Sequence, residues 1–138
     1  MPEAITVLAF DFGTRRIGLA VGNSITASGQ PLASILTKSD GSHFSAIASQ
    51  IKAWNPTQLV VGLPLYPDGA EHAMTFKARR FGNQLHGRFG LPVCWVDARY
   101  TSAVLESDPL LRQQLDSESA RLILEQYFQE QLSRHGEH

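Results

Sequence analysis

The hydrophobic positions along the chain follow two different periods, and the changes of period divide the sequence into eight predicted elements. Short apolar runs of the kind found in buried strands occur at residues 5–10, 17–22, 32–37, 59–63 and 92–96. Apolar residues at helical spacing occur over residues 44–54, 72–89 and 116–132. The predicted order is therefore β-β-β-α-β-α-β-α.

This order predicts an α/β fold with a mixed sheet of five strands. Three strands form an antiparallel meander, two more are added through right-handed parallel crossovers, and helices cover both faces. In the second helix the residues expected to face the sheet are Phe76, Phe81, Leu85 and Phe89. A length of 138 residues suits one domain, so residues 1–138 are predicted to form a single unit, with 134–138 as a frayed tail.

Charge and composition narrow the class of protein. A formal net charge of −1 argues against a uniformly basic nucleic-acid binder, but residues 70–99 contain five basic and two acidic side chains, which leaves room for a local basic surface. A single cysteine excludes an internal disulfide and agrees with a reducing compartment. No apolar run reaches the roughly 18 to 20 residues of a membrane span, so we expect a cytoplasmic protein without a membrane partner.

Three carboxylates stand where a ligand site is expected. Asp11 and Asp97 follow the first and fifth predicted strands, and Asp116 starts the last helix. Ligands of open α/β sheets bind at the carboxyl ends of parallel strands, and converging carboxylates repel one another unless a hard cation such as Mg²⁺ or Mn²⁺ joins them. This arrangement predicts metal-assisted phosphodiester hydrolysis. A turn at Asp11, a helix cap at Asp116 and an arginine partner for Asp97 would explain the same residues structurally.

Four motifs in order resemble the YqgF family. They are the segments that begin Asp11-Phe12-Gly13-Thr14, Val60-Val61-Gly62-Leu63-Pro64, Asp97-Ala98-Arg99-Tyr100-Thr101-Ser102 and Asp116-Ser117. Proteins of this family are described as Holliday junction resolvases and, more often now, as pre-16S rRNA nucleases. The resemblance implies an RNase H-like fold of the RuvC type, a bacterial cytoplasmic protein, dependence on Mg²⁺ or Mn²⁺, and processing of the 5′ end of ribosomal RNA.

Carried onto this chain, the family's first and last acidic residues fall on Asp11 and Asp116. The third family motif usually reads Asp-Glu-Arg, whereas this sequence has Ala98 after Asp97. Asp97 then serves as the expected central ligand, although a strand that continues through both positions would turn it to the opposite face from position 98. The residues expected to contact substrate are Arg15, Arg16, Tyr66, Arg99 and Thr101.

Three functions are consistent with these observations. The first is a metal-dependent nuclease that acts on structured RNA or branched DNA, as a monomer or weak homodimer, with a preribosomal particle as a further candidate partner. The second is a nucleic-acid or preribosome binding module whose chemistry is weakened, which the residue at position 98 motivates. The third is a phosphotransferase, because Asp-x-Gly-Thr after a strand also resembles the phosphate-binding hairpin of sugar kinases, but those enzymes need two such domains.

Overall fold

The computed structural model describes residues 5–98 and 112–136, with side chains described for 5–98 and 117–131. Its elements are β1 (Thr6–Phe12), β2 (Arg16–Asn23), β3 (Ser28–Leu36), α1 (His43–Trp54), β4 (Gln58–Leu63), α2 (Ala73–Phe89), β5 (Val93–Asp97) and α3 (Arg112–Gly136). The predicted order of strands and helices is confirmed.

The five strands form one mixed sheet in the order β3-β2-β1-β4-β5. β1 pairs with β2, and β2 with β3, in antiparallel register, whereas β4 is parallel to both β1 and β5. β1 and β4 are therefore interior strands of the sheet, where both faces are covered. Their near-continuous apolar runs follow from that position. The carboxyl ends of β1, β4 and β5 lie at one edge, which we call the carboxyl edge.

Two hydrophobic cores lie on opposite faces of this sheet. The α1/α2-side core includes Phe10, Val61 and Phe81, and the α3-side core includes Ala9, Val60 and other residues of both sheet and helix. Successive residues of a strand point to opposite faces, so β1 and β4 each supply both cores. The predicted helices on both faces of the sheet are confirmed.

Both ends of α2 match the sequence signals. The side chain of His72 accepts a hydrogen bond from the Met74 backbone N–H, and Gly90 ends the helix in the left-handed conformation. One expectation for this helix is wrong, because Phe76 is 61% exposed. The buried face runs through Ala78, Phe81 and Leu85, and a residue two positions before Ala78 lies about 200° away around the helix.

Three of the predicted boundaries that move affect a candidate site residue. β1 continues to Phe12 and β5 to Asp97, so Asp11 and Asp97 lie within strands rather than after them. α3 begins at Arg112, four residues before Asp116, which places Asp116 inside the helix and not at its cap. The same helix extends to Gly136, so most of the predicted tail at 134–138 is helical and residues 137–138 lie outside the described part.

Candidate functional site

Asp11 lies at the carboxyl edge of the sheet, on the face covered by α3. Val7 and Ala9 belong to the α3-side core, and the alternation of β1 assigns Asp11 to the same face. Its partner across the antiparallel pair is Gly18, which has no side chain to cover the carboxylate. Asp11 is half-buried at this position.

The first turns of α3 approach this edge of the sheet. The buried Ser117 hydroxyl accepts a hydrogen bond of 3.4 Å from the backbone N–H of Leu19. Leu19 comes directly after Gly18, which is the residue that pairs with Asp11. Asp116 directly precedes Ser117, so its backbone stands at the same edge as Asp11. The side chain of Asp116 lies outside the described residues. Ser117 itself was not predicted, although a small polar residue beside the apolar stripe of a helix is the signal that would have indicated it.

The register of β5 assigns Asp97 to the face of the sheet opposite Asp11. Val96 and Ala98 belong to the α3-side core, whereas Asp97 pairs with Leu63, a member of the α1/α2-side core. Paired residues of parallel strands share a face, and Trp95 confirms the alternation because it packs on the α1/α2 side. The structure thus brings position 98, and not Asp97, to the face that holds Asp11.

Contacts between β4, β5 and α3 fix position 98 in place. The Ala98 backbone N–H donates to the Leu63 carbonyl at 2.9 Å, and the side-chain amide of Gln126 donates to the Asp97 carbonyl at 3.0 Å. Ala98 is 7% exposed. The edge of the sheet is therefore held by α3 directly beside the position where the family motif has its glutamate.

A compact loop follows β4 at the same edge. Gly69, at a φ of +90°, closes a turn by donating its N–H to the Tyr66 carbonyl at 2.8 Å. The Thr75 hydroxyl donates to the Pro64 carbonyl, which ties the start of the loop to α2. The Tyr66 ring is about half exposed and lies 4.7 Å from the His72 ring, centroid to centroid. Part of the Tyr66 side chain is thus accessible beside the carboxyl edge.

The predicted basic contacts are divided between the turn after β1 and a segment that the structure does not describe. Arg15 is exposed and Arg16 is partly buried. Thr37 holds their turn, since its N–H donates to the Arg15 carbonyl at 2.9 Å and its hydroxyl to the Gly13 carbonyl at 2.7 Å. Arg99 and Thr101 lie outside the described residues.

The side chains at the carboxyl edge can be compared with the ligands that a divalent cation requires. Among the described side chains, no three of His, Cys, Asp or Glu come together as a metal site. Mg²⁺, however, commonly uses only one or two carboxylates and takes its other ligands from water and substrate phosphates. Asp11 supplies one carboxylate of the kind that this requires, whereas the methyl group of Ala98 offers no ligand atom.

The sheet order and the antiparallel meander are those of an RNase H-like fold. Solved structures support the fold. The RuvC protein of Thermus thermophilus in complex with a Holliday junction substrate matches with a TM-score of 0.54 at 14% identity, covering 93% of this chain and 96% of that one. A second structure of RuvC from Thermus thermophilus matches with a TM-score of 0.50 at 12% identity, covering 94% and 97%.

The chain belongs to the RuvX family, described as Holliday junction resolvase, whose model matches residues 5–130. A protein of Polynucleobacter necessarius described as "Putative pre-16S rRNA nuclease" is 61% identical, covering 91% of this chain and 86% of that protein. One of the same description from Cupriavidus taiwanensis is 51% identical, covering 93% and 91%. The resemblance to YqgF and the RNase H-like fold are therefore confirmed. Nucleases of this kind typically depend on a divalent metal ion. In the described part of the chain, each helix is too short or too polar to cross a membrane.

Proposed function

We propose that this protein is a metal-dependent endonuclease that processes the 5′ end of pre-16S ribosomal RNA in the bacterial cytoplasm. The observation that carries the proposal is Asp11, a half-buried carboxylate at the carboxyl edge on the face where α3 enters. The description of relatives at 61% and 51% identity supports the RNA substrate. Branched DNA remains the alternative substrate, which the family description favours.

In this proposal Asp11 and Asp116 hold Mg²⁺ or Mn²⁺ between the sheet and α3. The ion supplies charge neutralisation at the scissile phosphate and a more acidic bound water. The alternation of β5 supports this pair over Asp97, whose register assigns it to the opposite face. Asp97 then contributes to the site through its carbonyl, which anchors β5 to Gln126 of α3.

Basic and aromatic side chains around the edge would position the RNA. Arg15 lies in the turn after β1 and Arg16 begins β2, where guanidinium groups can contact phosphates next to the scissile bond. Tyr66 offers an exposed ring on which an unpaired base can stack. Arg99 and Thr101 belong to the same proposed substrate contacts, on the family motif that begins at Asp97.

The test is metal-dependent cleavage of a precursor RNA that carries the 5′ end of 16S rRNA. Asp11→Asn keeps the size of the side chain and removes its charge. We expect it to lower the cleavage rate by at least about 100-fold, since the loss of groups that merely orient metal ligands already costs 10- to 100-fold. Glu130→Gln, an exposed position on α3, is the matched control and should cleave like wild type. Unchanged cleavage by Asp11→Asn would overturn the site.

A second candidate function is a preribosome-binding module with weakened chemistry. The observation in its favour is that Ala98 occupies the Asp11 face without a ligand atom. We expect metal-dependent turnover by the wild-type protein, which would exclude this reading. If the wild type instead binds RNA without cleaving it, and Ala98→Glu but not the isosteric Ala98→Gln creates cleavage, the second function is correct. Circular dichroism would verify that both variants fold.

A further inference from the structure

A cleft on the α1/α2 side of the sheet has no role in the site described above. It lies between α2 and the segment that joins β3 to α1, and its volume is about 370 Å³. Its apolar lining consists of Phe12, Phe44 and Phe81, which form part of the core or pack against it. The floor of the cleft therefore belongs to the packed core of the fold.

The rim of this cleft is strongly basic. Lys38, Lys77, Arg80 and Arg88 line it, against a single carboxylate from Asp40. All four cations are exposed, and none of them forms a salt bridge within the described part of the chain. In contrast, neighbouring Arg79 is paired with Glu71 at 2.7 Å on another side of α2. Four exposed cations against one carboxylate, in a chain of net charge −1, make this rim a favourable surface for an anionic partner.

The shape of the rim indicates a polymeric anion. Lys77 and Arg88 are eleven residues apart on α2, which corresponds to about 16 Å along the helix axis. This length exceeds a single phosphate group and suits several consecutive phosphates of one strand. Arg88 is already oriented, since its guanidinium lies over the Phe44 ring at 4.1 Å from the centroid. A fixed guanidinium loses less conformational freedom when it contacts phosphate.

The cleft opens at the same carboxyl edge as the candidate site. Phe12 in its lining directly follows Asp11 along β1. Thr37, another lining residue, is hydrogen-bonded to the turn that carries Arg15. A strand bound at Asp11 on one face can therefore pass around the edge and continue along the cleft on the other.

We infer that this basic cleft, defined by Lys38, Lys77, Arg80 and Arg88, binds the phosphodiester backbone of a nucleic-acid strand that extends beyond the cleavage site. The identity of that strand as substrate rests on the proposed function, whereas the binding itself does not require chemistry. The contact is to backbone charge, so it reads no sequence and accepts RNA and DNA.

The experiment measures binding in EDTA, where cleavage is absent. The probes are a fluorescein-labelled RNA hairpin with a single-stranded tail and a DNA hairpin of the same sequence, titrated by fluorescence anisotropy from about 50 to about 200 mM salt. The key variant is Lys77→Ala/Arg80→Ala. Lys77→Ala alone is compared with Lys52→Ala, an equal substitution at an exposed residue of α1 outside the cleft. Thermal unfolding verifies that all variants fold.

We expect the double variant to bind both probes about tenfold more weakly, and the slope of log K against log salt to decrease by about 0.7 to 0.9 per lost contact. Lys77→Ala should reduce affinity while Lys52→Ala leaves it unchanged. Wild-type affinity in the double variant, equal losses in the two lysine variants, or a loss confined to one nucleic acid would each overturn the inference. Failure of the nuclease proposal would appear separately, as cleavage that survives Asp11→Asn.

Discussion

Gly62 lets α3 pack close to the sheet, and replacing it with alanine should separate the two layers. A Cβ at this position would overlap the Cδ1 atom of Ile123 and would stand 3.0 Å from its Cγ1 and 3.1 Å from the Cβ of Ala98. Both neighbours are buried, so the added Cβ must displace the Ile123 side chain or the helix that carries it. Overpacking of this kind costs about 1 to 3 kcal/mol. A cost of about 2 kcal/mol corresponds to a fall in Tm of roughly 6 to 10 °C for a chain of this size.

The assay is thermal and urea unfolding of three single variants and one double variant. Gly87→Ala is the matched control, because no atom lies within 4 Å of its added Cβ and alanine in a helix is favoured over glycine by about 0.5 to 1 kcal/mol. Ile123→Val removes the methyl group that Gly62→Ala would meet, at a cost of about 0.5 to 1.5 kcal/mol. Combined with Gly62→Ala it should destabilise by at least about 1 kcal/mol less than the sum. Additive losses, or a Gly62→Ala protein as stable as Gly87→Ala, would refute the reasoning.

Three further predictions concern the approaches to the site. His72→Ala should lower the free energy of unfolding by about 1 kcal/mol, because the Met74 N–H loses its acceptor, and His72→Asn should restore most of it; urea unfolding measures both. Thr75→Val should cost about 1 to 2 kcal/mol in the same assay, since the Pro64 carbonyl loses its buried donor. Hydrogen bonds from the Ser42 N–H and hydroxyl lower the pKa of Asp40 below its ordinary 3.8. The stability that this carboxylate contributes is present above that value and is lost as the pH falls through the lower folded pKa, so the difference between wild type and Asp40→Asn should shrink below about pH 4.

The topology could be predicted from sequence because each strand carries a strong local signal. Buried parallel strands require continuous apolar runs, and a helix between two such strands leaves one favoured handedness of crossover. Gly90 after the apolar positions of α2 is a local signal of the same kind, since the left-handed conformation at a helix end selects glycine. The exposed Phe76 was not predictable in this way, because an isolated aromatic residue near the start of a helix is compatible with either face.

The composition of the site was harder to predict, because it depends on strand ends to within one residue. β1 and β5 each extend past the last apolar residue of their run, since the backbone pairing of Asp11 with Gly18 and of Asp97 with Leu63 continues the ladders. Neither pairing has a hydropathy signal. Because both carboxylates lie within strands, the side chains alternate strictly between the two faces of the sheet. A shift of one residue in the register of a strand would move its carboxylate to the other face.

The alternation of β5 decides whether Asp97 can replace the glutamate that the family motif has at position 98. If β5 ended before Asp97, the aspartate could turn toward Asp11 and stand in for the missing glutamate of the family motif. Continued pairing of Asp97 with Leu63, together with Ala98 in the α3-side core, removes that freedom. In the proposed site the absence of a carboxylate at position 98 is therefore not compensated by its neighbour, and we expect any cleavage by this chain to depend on Asp11 and Asp116. Wild-type turnover would then show that two carboxylates from facing elements suffice, while turnover that appears only in Ala98→Glu would show that the third is required.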